Sequence, residues 1–252
     1  MRNVRVIARL DIKNNFLIKG IHLEGLRKIG NPYEFSKRYF QTGIDEIIYM
    51  DAVASLYKRN SLNQIIEETS KNIFIPITVG GGVRTIDDAH KILRSGADKV
   101  ALNTAAIKNP RLIEELSNRF GSSTIVISIE AKKLLNGKWE AYINNGREKT
   151  GIDVIEWSRD VEKLGAGEIL LTSVDQEGTG KGFDNNLIKS VTENVMIPVI
   201  ASGGMGKLQH FTDVVKSSNC DGVAMANILH YSKIKIEDIK KFSVKEKISV
   251  RI

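Results

Sequence analysis

Eight short β-branched runs alternate with amphipathic stretches along the whole chain, and no other feature restricts the fold as tightly. The runs are VRVIARL (4–10), EIIYM (46–50), IPITV (75–79), KVALN (99–103), TIVISI (124–129), EILLTS (168–173), IPVIA (197–201) and GVAMA (222–226). Between them lie NPYEFSKRYFQTG, TIDDAHKILRSG, NPRLIEELSNRFG, DVIEWSRDVEKLG and HFTDVVKSS. Their apolar residues recur at three and four, the spacing of helices laid on a sheet. Gly43, Gly96, Gly121 and Gly165 stand where such helices stop. Strand–helix units repeated without a long linker predict an α/β fold, the closed parallel TIM (β/α)8 barrel, over an open doubly wound sheet. The barrel takes residues 1–252 as one domain.

The pattern repeats by halves. GIDEIIYMD (43–51) resembles GAGEILLTS (165–173), and IPITVGGGV (75–83) resembles IPVIASGGM (197–205), each pair 122 residues apart. Four strands followed by four more favour closure with internal half-barrel duplication. ARLDIKN and ISIEAKK are a further pair, each an apolar run ending in a carboxylate, Asp11 and Glu130. Both are expected at the mouth of the barrel. Two insertions leave the same two strands, residues 12–32 and 133–151, and the second carries an NGK turn that predicts a small hairpin. Barrel enzymes build their sites on the loops at this C-terminal end.

The formal charge of +7 is spread along the chain with acids interleaved. No basic run alternates with aromatics and no DNA-binding motif spacing occurs, so nucleic acid is not an expected partner. Positive charge does help draw phosphorylated metabolites into a cleft. The single cysteine, Cys220, excludes an internal disulfide and a cysteine-based zinc cluster. No run approaches the roughly 18 apolar residues of a membrane span. The opening MRNVRVIARLD lacks the apolar core of a secretory signal. An unprocessed cytoplasmic protein with no cofactor and no metal is expected.

VGGGV (79–83) and ASGGM (201–205) each set adjacent glycines after a strand, where backbone amides can turn toward an anion at a helix start. A tight turn is the commoner reason for such a loop when it stands alone. Here each is followed, one strand later, by polar strand ends, Asn103–Thr104 and Ala226–Asn227. Strands three and four, and seven and eight, are then two phosphate cups half a barrel apart, suited to a phosphorylated small molecule with a phosphate at each end. A third loop, TSVDQEGTGKGFD (172–184), offers Glu177–Gly178–Thr179 to the second phosphate.

LDIK, IKG, TVGGGVR, GADKVALNTAA, NPRLIEEL, RFGSS, DQEGTGKGFD and IPVIASGGMG, in this order over nearly the whole chain, resemble the cyclase subunit of imidazole glycerol phosphate synthase. The resemblance implies a lyase of histidine biosynthesis that uses ammonia from a separate glutaminase subunit, in a heterodimer. It implies closure of a ribulosyl formimino carboxamide ribonucleotide to imidazole glycerol phosphate and aminoimidazole carboxamide ribotide. By the same resemblance Asp11 and Glu130 are the catalytic carboxyls and Lys19 is a substrate contact on a mobile loop. Gly81, Gly82, Asn103 and Thr104 hold one phosphate; Gly178, Gly203, Gly204, Ala226 and Asn227 surround the other. Arg5, Glu46, Lys99 and Glu168 form the charged ring through which ammonia passes. Asp51, Thr78 and Ser173 are expected to line the cleft from strand ends.

Three positions depart from that family: Glu130 and Glu177 replace aspartates, and Arg9 replaces a small uncharged residue. One extra methylene displaces a carboxylate by about 1.5 Å. Side chains alternate along a strand, so Arg9 faces the interior with Asp11. A buried arginine needs a partner, and Glu130 is the expected one, which would hold that carboxylate ionised. Asp11 is then the expected acid and Glu130 the base. The departures leave room for a paralogous ammonia-using subunit acting on a nucleotide-linked sugar for surface polysaccharide. A phosphoribosyl isomerase on the same fold and a non-catalytic docking barrel are the further alternatives.

Overall fold

A computed structural model describes residues 3–54 and 62–252. Eight parallel strands close on one another: β1 (Arg5–Lys13), β4 (Glu46–Asp51), β5 (Ile77–Gly80), β6 (Lys99–Leu102), β7 (Ile125–Lys133), β10 (Glu168–Ser173), β11 (Val199–Ser202) and β12 (Gly222–Met225), with β12 returning to β1. The fold is a TIM (β/α)8 barrel, as the alternation predicts. Helices α1 (Pro32–Gln41), α2 (Asn63–Asn72), α3 (Ile86–Arg94), α4 (Thr104–Lys108), α5 (Arg111–Phe120), α6 (Val154–Lys163), α7 (Asn185–Thr192), α8 (Leu208–Ser218), α9 (Asn227–His230) and α10 (Ile236–Lys245) fill the connections.

Alternation along the strands divides the core in two. On β1, Val6, Ala8, Leu10 and Ile12 point outward into the large cluster under the helices, while Ile7 points inward. The inward cluster is smaller and apolar: Ile7, Ile48, Met50, Ala101, Val126, Leu170, Ile200 and Ala224. Such a filled interior is a packed core rather than an open pore.

The duplication extends to register and caps. Ile7 pairs with Glu46 in the first half and Val126 with Glu168 in the second, so Asp11 beside Met50 corresponds to Glu130 beside Thr172. Asn31 caps α1 through the Tyr33 amide, and Asp153, 122 residues later, caps α6 through the Ile155 and Glu156 amides. Both insertions are antiparallel extensions of the first strand of their half. β1 continues into β2 (Phe16–Ile21) and β3 (Glu24–Gly30); β7 continues into β8 (Trp139–Ile143) and β9 (Glu148–Asp153). The turn around NGK joins β7 to β8, closed by the Leu134 amide on the Lys138 carbonyl at 2.8 Å.

One expected placement fails. The third barrel strand starts at Ile77, so Thr78 lies near its N-terminal end and not at the mouth. Its hydroxyl donates to Glu46 Oε1 at 3.0 Å, inside the barrel floor.

Candidate active site

The floor of the barrel is a closed ring of alternating charge. Arg5 reaches Glu46 at 2.7 Å and Glu168 at 2.5 Å, and Lys99 reaches the same two carboxylates at 3.3 and 2.8 Å. Each strand contributes its first residue, which is why residues far apart in sequence meet at one level. Both carboxylates are nearly sealed from solvent, a burial that ions tolerate only when mutually satisfied. The four residues thus meet at one level of the floor.

Arg9 crosses the interior above the apolar cluster. Its Nε donates to Asp11 Oδ1 at 3.0 Å, and Nη1 donates to the hydroxyls of Thr172 at 2.8 Å and Ser202 at 3.3 Å. These partners sit on β10 and β11, three and two strands round the barrel from β1. The ion pair expected between Arg9 and Glu130 is not formed. Two residues apart on one face, Arg9 and Asp11 are near enough for the long guanidinium arm to fold back on its own strand.

The two carboxyls consequently differ in protonation. Burial works to raise Asp11, but Arg9 and Lys19 outweigh it and hold the group below the usual carboxylate range. Burial dominates at Glu130 and pushes it up to about 7, against partial opposition from Arg9 and from the Gly146 amide, which donates to Oε2 at 2.7 Å. The charge of Asp11 adds to the same upward push. Glu130 therefore titrates near neutrality while Asp11 stays ionised, so the surroundings drive the two carboxyls apart.

A cavity of about 380 Å³ opens beside Glu130. Asp51, Gly81, Gly82, Asn103 and Thr104 line it together with Arg9 and Glu130. A Cβ on Gly81 would lie 2.5 Å from the Asp51 carbonyl oxygen, and one on Gly203 would lie 2.7 Å from that of Ser173, the same contact in each half. Only glycine fits where backbone crowds so closely. Arg84, Lys108, Asn144 and Asn145 also line this cavity and were not anticipated. Arg84 follows the glycine loop directly, a signal the sequence does carry; the two asparagines arrive on the β8–β9 turn, whose docking it does not.

The second cup is assembled but filled. Glu177, Gly178, Gly203, Gly204, Ala226 and Asn227 surround a space of only about 10 Å³, with Arg9 shared between both cavities. A continuous cleft over both cups is therefore not present; the β2–β3 hairpin closes the second. Lys19, expected to face substrate, is buried between Glu177 and Asp11, 3.5 Å from the latter. The His22 amide donates to the Glu177 carbonyl at 2.8 Å, and a Cβ on Gly178 would meet the Gly20 carbonyl oxygen at 2.5 Å. Thr179 spends its hydroxyl on the Gln176 carbonyl, and the Ser173 hydroxyl is buried without a partner. Neither lines a cavity.

Beside this hairpin lies His230, whose Nδ1 is 2.7 Å from the Tyr39 hydroxyl. Burial pushes its imidazole down to about 3 and keeps it neutral. Among the described residues no group of three or more His, Cys, Asp or Glu side chains is placed to hold a metal ion, and no helix is long and apolar enough to cross a membrane.

Residues 5–235 match the family described as histidine biosynthesis protein. The chain is 64% identical to the imidazole glycerol phosphate synthase subunit HisF of Legionella pneumophila over 84% of its length and all of that protein's. Identity to the subunit of the same name is 47% in Pyrococcus furiosus, over 98% of both chains, and 45% in Clostridium botulinum, over the whole of both. The chain belongs to the histidine biosynthesis protein family, within its imidazole glycerol phosphate synthase HisF branch.

Proposed function

We propose that the barrel mouth closes the bisphosphate ribulosyl formimino carboxamide ribonucleotide with ammonia, with Glu130 as general acid and Asp11 as general base. As an imidazole glycerol phosphate synthase subunit of histidine biosynthesis the chain is a lyase-type enzyme. The division of labour rests on one observation, a contrast between the carboxyls at equivalent positions of the two half-barrels. Asp11 faces Arg9 and Lys19, which lower its pKa, whereas Glu130 is buried without a cation partner among the described residues and is pushed up to about 7. Ammonia attacks the carbonyl carbon of the ribulosyl arm. The nitrogen loses two protons and the oxygen gains two before it leaves as water. Glu130 gives one and Asp11 relays one from the nitrogen, with the second nitrogen proton restoring Glu130. The resulting imine nitrogen then bonds to the formimino carbon, and the bond from that carbon to the carboxamide ribotide breaks, its amine taking up the protons that the closing ring gives up. Two groups whose pKa values are driven apart by their surroundings suit that exchange.

In this reading the two cups hold the two phosphates, and the second fills once the β2–β3 hairpin swings away. Lys19, Asp51, Gly81, Gly82, Asn103 and Thr104 act from the first hairpin and the first cup. Ser173, Glu177, Gly178, Thr179, Gly203, Gly204, Ala226 and Asn227 act from the second. A cytoplasmic glutaminase subunit docks on the opposite face to form a heterodimer. Its ammonia passes the Arg5–Glu46–Lys99–Glu168 ring and the apolar interior, which favours neutral ammonia over ammonium. Residues 1–252 work as one barrel domain. Purified protein given an ammonium salt and the bisphosphate ribonucleotide should release both cyclised product and the carboxamide ribotide. Tight binding without product would instead point to a docking barrel.

A further inference from the structure

Among the described residues Arg9 is the one that lines both cavities, and its hydrogen bonds leave a donor to spare. Nε is taken by Asp11 and Nη1 by Thr172 and Ser202, whereas Nη2 has no acceptor among the described residues. The residue is 2% exposed and borders both cavities. A guanidinium donor with no protein acceptor beside a cavity is available to a ligand that enters it. Two buried atoms nearby also lack partners: Ser128 Oγ on β7 and Asn103 Oδ1 on the wall of the larger cavity. Ser128 is the counterpart of Arg9 in the second half-barrel, by the register that relates Asp11 to Glu130.

We infer that Arg9 is a substrate-binding residue that presents Nη2 to an acceptor oxygen of the open-chain arm, midway between the two phosphates. The inference rests on the two-phosphate reading above and adds a contact that neither cup supplies. Three hydrogen bonds to two sides of the barrel fix the guanidinium plane, so the free N–H points to one place at little further entropic cost. Asp11 and the other carboxylates nearby keep the group ionised despite burial, so Arg9 orients and stabilises negative charge but transfers no proton. Its charge also lies above the apolar cluster, at the point where a molecule rising through the interior meets the substrate. A single neutral side chain there would leave the oxygen to water.

Binding without ammonia separates this role from a structural one, because no turnover occurs. The bisphosphate ribonucleotide and inorganic phosphate are titrated calorimetrically into wild type, Arg9→Met and Arg9→Lys. Loss of a hydrogen bond from a charged donor should weaken the bisphosphate by about tenfold or more in Arg9→Met, with phosphate changed less than about twofold. Arg9→Lys keeps a cation beside Asp11 but not the fork. It should lose at least about fivefold by the same reasoning, and it carries the test should the Met variant fail to fold. Under saturating ammonium the rise in KM should follow the rise in Kd. Bisphosphate affinity within twofold of wild type in a folded variant, with only kcat reduced, would overturn the inference and leave Arg9 as a partner of Asp11. Wild type binding the bisphosphate no better than phosphate would instead overturn the two-cup reading itself.

Discussion

Arg9 holds Asp11 at 3.0 Å and leaves Glu130 to the Gly146 amide. That single choice of partner sets the chemistry of the mouth. Had the guanidinium paired with Glu130, both carboxyls would sit ionised and no acid would face the departing oxygen. With Asp11 paired, burial outweighs the more distant charge of Arg9 at Glu130 and pushes it up to about 7.

Replacing Asp11 by asparagine keeps the shape and an acceptor for Arg9 but removes the base. Ammonium-dependent turnover should fall by a factor of about 10² to 10⁴, the usual worth of a positioned acid or base. The circular dichroism spectrum should be unchanged. Turnover near the wild-type rate in a folded Asp11→Asn variant contradicts the assignment.

Glu130 makes stability depend on pH in a definite direction. Its folded pKa of about 7 lies above the ordinary value of 4.5, so the native state holds the proton more tightly than the unfolded chain. The contribution is full below the ordinary value and is lost as pH rises through 7, by about 3 kcal/mol at most. Glu130→Gln cannot ionise and still accepts from Gly146. Its melting temperature relative to wild type should therefore climb between pH 5 and pH 8; a difference constant with pH would mean Glu130 is not shifted.

The floor ring should be sensitive to the loss of any one member. Glu168→Gln leaves Arg5 and Lys99 sharing the remaining carboxylate of Glu46. Breaking a buried pair costs about 3–5 kcal/mol, but both cations retain some solvent contact, so about 1–3 kcal/mol is expected in urea unfolding. If ammonia passes this ring, glutamine-driven turnover with the partner present should drop further than turnover driven by added ammonium. Equal losses would remove the ring from the ammonia route.

Hairpin closure depends on close backbone contact at Gly178, which has φ of 76° and lies against Gly20. Gly178→Ala should displace the hairpin and loosen the β2–β3 backbone around Arg27 and Lys28, whose side chains are already exposed. Limited trypsin digestion should cut between β2 and α1 several times faster than in wild type, with the barrel left whole. Identical digestion would show that this contact does not hold the hairpin down.

The barrel was legible because its signals are local and repeated. Period-three-and-four helices, glycine stops and a 122-residue echo all survive in the sequence, and Gly81 and Gly203 could be read as equivalents from that echo. Long-range choices were not legible. Alternation placed Arg9 inside the barrel but could not say that it folds back to Asp11 while also reaching Thr172 and Ser202. Thr78 was misplaced because IPITV reads as one strand, although pairing begins only at Ile77. Nor does any local pattern announce that Lys19 will be buried on Glu177, since that depends on one loop docking over another.

The most direct test of the proposed acid and base is the pH dependence of kcat with saturating bisphosphate substrate, expressed per free ammonia. Wild type should lose activity as pH rises through about 7, where Glu130 gives up its proton, and Glu130→Gln should be slow and show no such limb. A wild-type profile that is flat through this range, or a Glu130→Gln variant that keeps the limb, would contradict the account.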